Sequence, residues 1–381
     1  MPLSSFTPSS TPGTIHHYAP RLVAFEDSSV LTRGIPNTLI WIGGLSDGLF
    51  TVKYTSTLAQ ALPPDWSLVR PLLSSSYNGW GTSSLKRDVK ELGKLVDYLR
   101  GMRKGAVIVL MGHSTGCQDC IEYATGEGAS ERPPIDGIIL QAPVSDREAM
   151  IHMMPDQYRP TTELAQRWLD DGKGEDVLPN SATKAFFDST PVTARRWLSL
   201  ASPNRDGDDD FFSSDLSTES LRKTFGALKR STPLLVLFGG QDQYVPDSID
   251  KAGLVARWTA TVKAAEGAVD EVNGGVVRGA SHNLDGDAQE VVEDLIQRVK
   301  RYLRRLDDED FRGAREPGRV GMLHEFTPGE YDTAVPRDVL TLQAIHTYVS
   351  SRGTNSWYWG KGHESALHNW FNDICVESSA K

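Results

Sequence analysis

One serine in this chain stands where a nucleophile would be built. Gly112-His113-Ser114-Thr115-Gly116 follows the short apolar run 106–111 and precedes Cys117-Gln118-Asp119-Cys120-Ile121-Glu122-Tyr123, which reads as helix. The G-x-S-x-G spacing fits a strained strand-to-helix turn, where a Cβ at either flanking position would meet neighbouring backbone. Such a turn lifts the Ser114 hydroxyl clear of the sheet. It also puts it at a helix N-terminus, whose free N–H groups can meet a developing oxyanion.

A serine hydroxyl becomes nucleophilic only when a base takes its proton, and that base needs a third group to hold its tautomer. The expected chain order is serine, acid, histidine. Asp242 fills the acid slot, in Gly239-Gly240-Gln241-Asp242-Gln243-Tyr244-Val245-Pro246 just past an apolar strand at 234–238. Its rivals are Asp247, which reads as the N-cap of the next helix, and Asp146, which follows an earlier strand. His282 is the expected base, in the small-residue loop Gly279-Ala280-Ser281-His282-Asn283 after the last strand. His113 points away from a serine one residue on and reads as structural. The remaining histidines (His16, His17, His152, His324, His346, His363, His368) fall in the tails or the insertion.

Acyl transfer also needs two donors for the tetrahedral oxyanion. The Thr115 backbone N–H is one. Strand 38–42 runs into Gly43-Gly44-Leu45-Ser46-Asp47-Gly48, where paired glycines let backbone approach substrate, so Leu45 N–H is the expected second donor and Ser46 the fallback.

The surrounding elements must bring these loops together. Apolar runs at 38–42, 67–73, 106–111, 137–141 and 234–238, with a short one near Val276 and Val277, alternate with helical periods at 53–62, 85–100, 114–124, 247–264 and 288–303. That rhythm predicts an α/β fold with a doubly wound, mainly parallel sheet. Residues 146–230 break it with helical segments at 162–169, 193–200 and 216–228 and many aromatics, and read as a helical cap over the sheet's C-terminal edge. The division expected is a tail at 1–20, a core of 21–145 and 231–305, a cap at 146–230 and an extension of undefined role at 306–381.

Composition excludes several classes. With 40 basic and 50 acidic residues among 381 and an isoelectric point near 5.4, neither nucleic acid nor an anionic membrane is the expected partner. A small-molecule ester substrate fits, with no metal or organic cofactor. The acid-rich stretch Asp206–Asp210 lacks calcium-loop spacing and reads as a solvated loop. Three cysteines suit a reducing, cytoplasmic setting, and Cys117 and Cys120 read as small packing residues of one helix. The first fourteen residues lack the apolar core of a signal peptide. No run approaches a membrane span, and nothing sets the oligomeric state.

The chain resembles the α/β-hydrolase superfamily over residues 21–305. The serine motif extended to Asp119, the loop Gly43-Gly44-Leu45-Ser46-Asp47-Gly48, and Ser76-Tyr77-Asn78-Gly79-Trp80-Gly81-Thr82-Ser83-Ser84 are similar to a fungal group of formerly unknown function. That group includes an intracellular siderophore esterase acting on fusarinine C. The resemblance implies hydrolysis of ester bonds in a hydroxamate siderophore, ferric or iron-free, with Ser114 as nucleophile, Asp242 as acid and His282 as base. Gly43, Gly44, Ser46, Tyr77 and Trp80 are the expected substrate-contacting positions. The chain departs from the pattern at Ile42, where many hydrolases place histidine, and in 306–381, which matches nothing in the group. General carboxylesterase, lactonase or thioesterase activity, or a catalytically silent binding role, are the alternatives.

Overall fold

The computed structural model describes residues 10–27 and 35–306. Eight strands form one sheet: β1 (Gly13–Ala19), β2 (Leu22–Asp27), β3 (Asn37–Ile42), β4 (Trp66–Leu72), β5 (Ile108–His113), β6 (Gly137–Gln141), β7 (Leu234–Gly239) and β8 (Gly275–Val277). Their order is β1-β2-β4-β3-β5-β6-β7-β8. The first two run antiparallel at one edge, and the strands from β4 to β8 are parallel.

The central strands are apolar throughout because helices cover both faces. Side chains alternate across a strand, and in β5 Ile108 and Leu110 enter one core layer while Val109 and Met111 enter the other. Helices α2 (Leu85–Met102), α3 (Gly116–Thr125) and α9 (Lys251–Ala264) supply the first layer; α1 (Tyr54–Ala61) and α10 (Gln289–Arg305) supply the second. Truncating Leu110, fully buried between them, to alanine costs about 2–5 kcal/mol.

Between β6 and β7 the chain forms α4 (Asp146–Met153), α5 (Pro155–Asp170), α6 (Asn180–Phe187), α7 (Ala194–Ala201) and α8 (Thr218–Lys223). Much of this insertion packs around Trp197 and Tyr158 in an apolar cluster separate from the two sheet layers. Trp80, from the main body, is buried in the same cluster.

Four expectations need correction. Residues 13–19 belong to the sheet and not to a tail: β1 pairs with β2 across a turn with Arg21 at φ 66°, and His16 Nε2 bonds Glu26 Oε2 at 2.7 Å. Pro20 presets that turn, a signal masked by the Ser/Thr/Pro bias just upstream. Helix α9 starts at Lys251, not at 247, because Asp250 is its N-cap, accepting from Gly253 N–H. Asp206–Asp210 is not a solvated loop throughout. Asp209 pairs with buried Arg196 at 2.6 Å and Asp210 with Arg147 at 3.0 Å, since a guanidinium inside the protein requires a carboxylate. The segment 216–228 is broken into α8 and a 3-10 turn at Phe225–Ala227. The extension beyond residue 306 lies outside the described residues.

Candidate active site

The turn after β5 has the predicted geometry. Ser114 sits at φ 54°, a region costly for a residue with a Cβ, and the tightness of its surroundings enforces it. A Cβ on Gly112 would lie 2.2 Å from Gly116 O, and one on Gly116 would lie 2.3 Å from Ile42 O. Ser114 N–H donates to Gln141 O at 3.1 Å, tying the turn to the end of β6. Cys117 and Cys120 are free thiols packed in the core behind it.

Asp242 and His282 meet each other at the sheet edge. Asp242 follows β7 and its side chain is fully buried; His282 follows β8. His282 Nδ1 donates to Asp242 Oδ2 at 2.7 Å. The other carboxylate oxygen, Oδ1, accepts Tyr244 N–H at 3.0 Å, which leaves the carboxylate one orientation toward the imidazole. The Tyr244 ring stands edge-on to His282, with centroids 4.7 Å apart. His282 N–H donates to Gln243 Oε1 at 3.1 Å. Neither rival acid takes this place. Asp146 accepts from Gln118 Nε2 at 2.9 Å instead, and burial pushes its carboxyl up to about 8. Asp247 stands in the turn that precedes α9.

A buried polar chain links Ser114 to His282. Gln141 Nε2 donates to His282 O at 3.1 Å, while its Oε1 accepts from Tyr54 Oη at 3.1 Å and bonds His113 Nδ1 at 2.5 Å. Trp41 Nε1 donates to Tyr54 Oη at 3.2 Å. The His113 ring lies 5.0 Å from the His282 ring. Burial, followed by the neighbouring His282 charge, lowers His113 to about 4. It is therefore neutral at pH 7. The sequence signal for Gln141 is a polar residue closing the otherwise apolar run 137–141.

The loop after β3 reaches the serine. A Cβ on Gly44 would lie 2.6 Å from Ser114 Cβ and 3.1 Å from its Oγ, so only glycine allows this approach. Asp47 Oδ2 accepts Gly44 N–H at 2.9 Å and stiffens the loop. Gly43, Gly44, Leu45 and Thr115 line one cavity. Ser46, at φ 67°, accepts from Trp80 Nε1 at 3.1 Å. Tyr77 N–H donates to Asp47 O at 2.8 Å, and its hydroxyl accepts from Leu49 N–H at 3.1 Å. Trp80, 2% exposed, and Tyr77, 46% exposed, therefore brace this loop. Of the two, Trp80 also borders the cavity.

Residues 6–304 match the model of a family described as Protein of unknown function (DUF1749). The chain belongs to this family. The chain is 40% identical over 341 residues to the fusarinine C esterase of Aspergillus fumigatus, taking in 77% of this chain and 96% of that protein. The solved structure of the siderophore hydrolase EstB from Aspergillus fumigatus is similar at a TM-score of 0.69 and 37% identity, covering 80% of this chain and 100% of that one. An α/β-hydrolase fold protein of unknown function is similar at a TM-score of 0.51 and 20% identity, over 78% and 98% of the two chains. The fold is that of the α/β hydrolases. Among the described residues no helix is long and apolar enough to cross a membrane, and no three His, Cys, Asp or Glu side chains are grouped to hold a metal ion.

Proposed function

We propose that the protein is a serine ester hydrolase that cleaves ester bonds of a hydroxamate siderophore of the fusarinine C type. Ser114 attacks the ester carbonyl while His282 Nε2 takes its proton. Asp242 holds the proton on Nδ1 and stabilises the imidazolium that forms. The tetrahedral oxyanion is met by the backbone N–H groups of Thr115 and Leu45, with Ser46 as fallback. Collapse expels the alcohol, protonated by His282, and leaves an acyl-Ser114 ester. A water deprotonated by His282 then releases the acid and restores the serine.

The observation carrying this reading is the 2.7 Å bond from His282 to a fully buried Asp242, with the His282 ring 5.0 Å from that of His113, the residue before a serine in a left-handed turn. The substrate class rests on the similarity to the fusarinine C esterase and to EstB. Residues 146–230 serve in this reading as a cap over the sheet edge, residues 21–145 and 231–305 as the catalytic core, and the setting is cytoplasmic.

Purified protein is assayed on fusarinine-type esters, ferric and iron-free, and on simple acyl esters. Turnover of the first set, lost in Ser114→Ala, is expected. Efficient turnover of simple esters alone removes the siderophore assignment. Failure of the wild type to react with a fluorophosphonate removes the serine mechanism as well.

A further inference from the structure

The base stands on the least supported part of the sheet. His282 follows β8, which is three residues long, pairs with β7 and ends the strand order. The chain beyond it turns at Gly279 (φ 77°) and again at Leu284 (φ 58°), so no run of ladder bonds fixes residue 282. Its neighbours are tied down locally, Ala280 O accepting Gln241 N–H and Asp287 Oδ2 accepting Ser281 N–H, each at 2.8 Å. His282 itself is held by two side chains. Its N–H donates to Gln243 Oε1 and its carbonyl accepts from Gln141 Nε2, both at 3.1 Å.

These two amides come from the ends of neighbouring parallel strands. Gln141 closes β6 and is 1% exposed, whereas Gln243 stands exposed in the loop after β7, next to Asp242. A carbonyl oxygen only accepts, so Nε2 of Gln141 must face His282 and Oε1 must point the other way. There Oε1 meets the Tyr54 hydroxyl at 3.1 Å and His113 Nδ1 at 2.5 Å. Trp41 Nε1 donates to Tyr54 Oη, which leaves the Tyr54 proton for Gln141 and puts the His113 proton on Nδ1. The amide is thereby locked. The main chain of Gln141 reaches the nucleophile as well, because its O accepts Ser114 N–H at 3.1 Å. One buried residue thus holds the serine turn through its carbonyl and the base through its side chain.

We infer that Gln141 and Gln243 are positioning residues that clamp the main chain of His282 at its carbonyl and its N–H, and so set the reach of the imidazole toward Ser114. This deepens the esterase reading and rests on it. Asp242 fixes the tautomer and rotation of the ring; the clamp fixes where the backbone carrying that ring stands. A displacement of about 1 Å there is enough to cost about a hundredfold in rate.

The test measures phosphonylation of Ser114 by an alkyl fluorophosphonate, separating the rate constant of the bound probe from its dissociation constant. Gln243→Met keeps the length of an exposed side chain and removes the acceptor. It should lower the rate constant about three- to tenfold, the worth of one net hydrogen bond, with probe affinity unchanged. Gln243→Glu again offers an acceptor to the same N–H and should restore the rate to within about twofold of wild type. Gln141→Met, which removes the buried donor, should lower it about ten- to a hundredfold. Urea unfolding of each variant is measured beside the labelling, since a merely structural role lowers the midpoint and leaves the rate constant of the folded protein alone. A wild-type rate constant in either folded Met variant, or a Glu variant no faster than Met at position 243, overturns the clamp and leaves the esterase reading intact. If Gln141→Met does not fold, the pair at position 243 decides by itself. Failure of wild type to label overturns the clamp and the esterase reading together.

Discussion

Replacing Asp242 by asparagine is the sharpest test of how the imidazole is set. Asp242 Oδ1 accepts Tyr244 N–H at 3.0 Å and Oδ2 accepts His282 Nδ1–H at 2.7 Å. Asparagine keeps its single carbonyl oxygen on the Tyr244 amide, because its NH2 group there would oppose another donor. The NH2 group then faces His282 Nδ1, which must become the acceptor, and the ring proton moves to Nε2. In that tautomer His282 has no lone pair for the serine proton. The lost attraction between carboxylate and imidazolium at 2.7 Å is about 6 kcal/mol at an effective dielectric of about 20. The amide dipole offsets part of it. With about 1.4 kcal/mol per factor of ten, kcat should fall about 1,000- to 10,000-fold with KM changed little. Single-turnover acylation, measured with a chromogenic ester beside urea unfolding of the same variant, is the assay. An Asp242→Asn protein folded like wild type and within tenfold of its acylation rate would refute this account of the imidazole.

Two further substitutions probe the walls of the site. Gly44→Ala places a methyl group 2.6 Å from Ser114 Cβ, so kcat should drop about a hundredfold by displacement of the serine, with circular dichroism unchanged; retention of full activity counts against the close approach. His113 has its folded pKa lowered to about 4 from 6.5, so the unfolded chain binds the proton more readily. The associated stability is fully present above about pH 6.5 and is lost as pH falls toward 4, by about 3 kcal/mol. The urea midpoint of wild type should fall over that window more steeply than that of His113→Asn, and equal slopes would contradict a buried neutral imidazole.

Local chemistry was legible without coordinates. An apolar run long enough for one buried strand, glycines two residues either side of Ser114, and a helical continuation specify the turn, because only glycine tolerates the backbone contacts at 112 and 116. The positions of Asp242 and His282 after apolar runs were equally readable, since parallel strands send their following loops to one edge of the sheet. Short-range pattern did not reveal the strand at 13–19, whose residues gain a partner only when β2 folds back, or the burial of Asp209, a turn residue whose partner Arg196 stands on α7.

The rest was decided in three dimensions. The choice among Asp146, Asp242 and Asp247 depends on which carboxylate meets the ring of His282, and that distance spans 40 residues of chain. Gln141 and Tyr244 became part of the site only through contacts made by the folded sheet edge. Asp88 and Asp119, unremarkable on two separate helices, share one cavity with the loop after β3 because α2 and α3 pack on the same face of the sheet. A sequence specifies where the backbone turns and which face of an element is apolar. Charge neighbours separated by many residues, and the burial that shifts their protonation, exist only once the layers have closed.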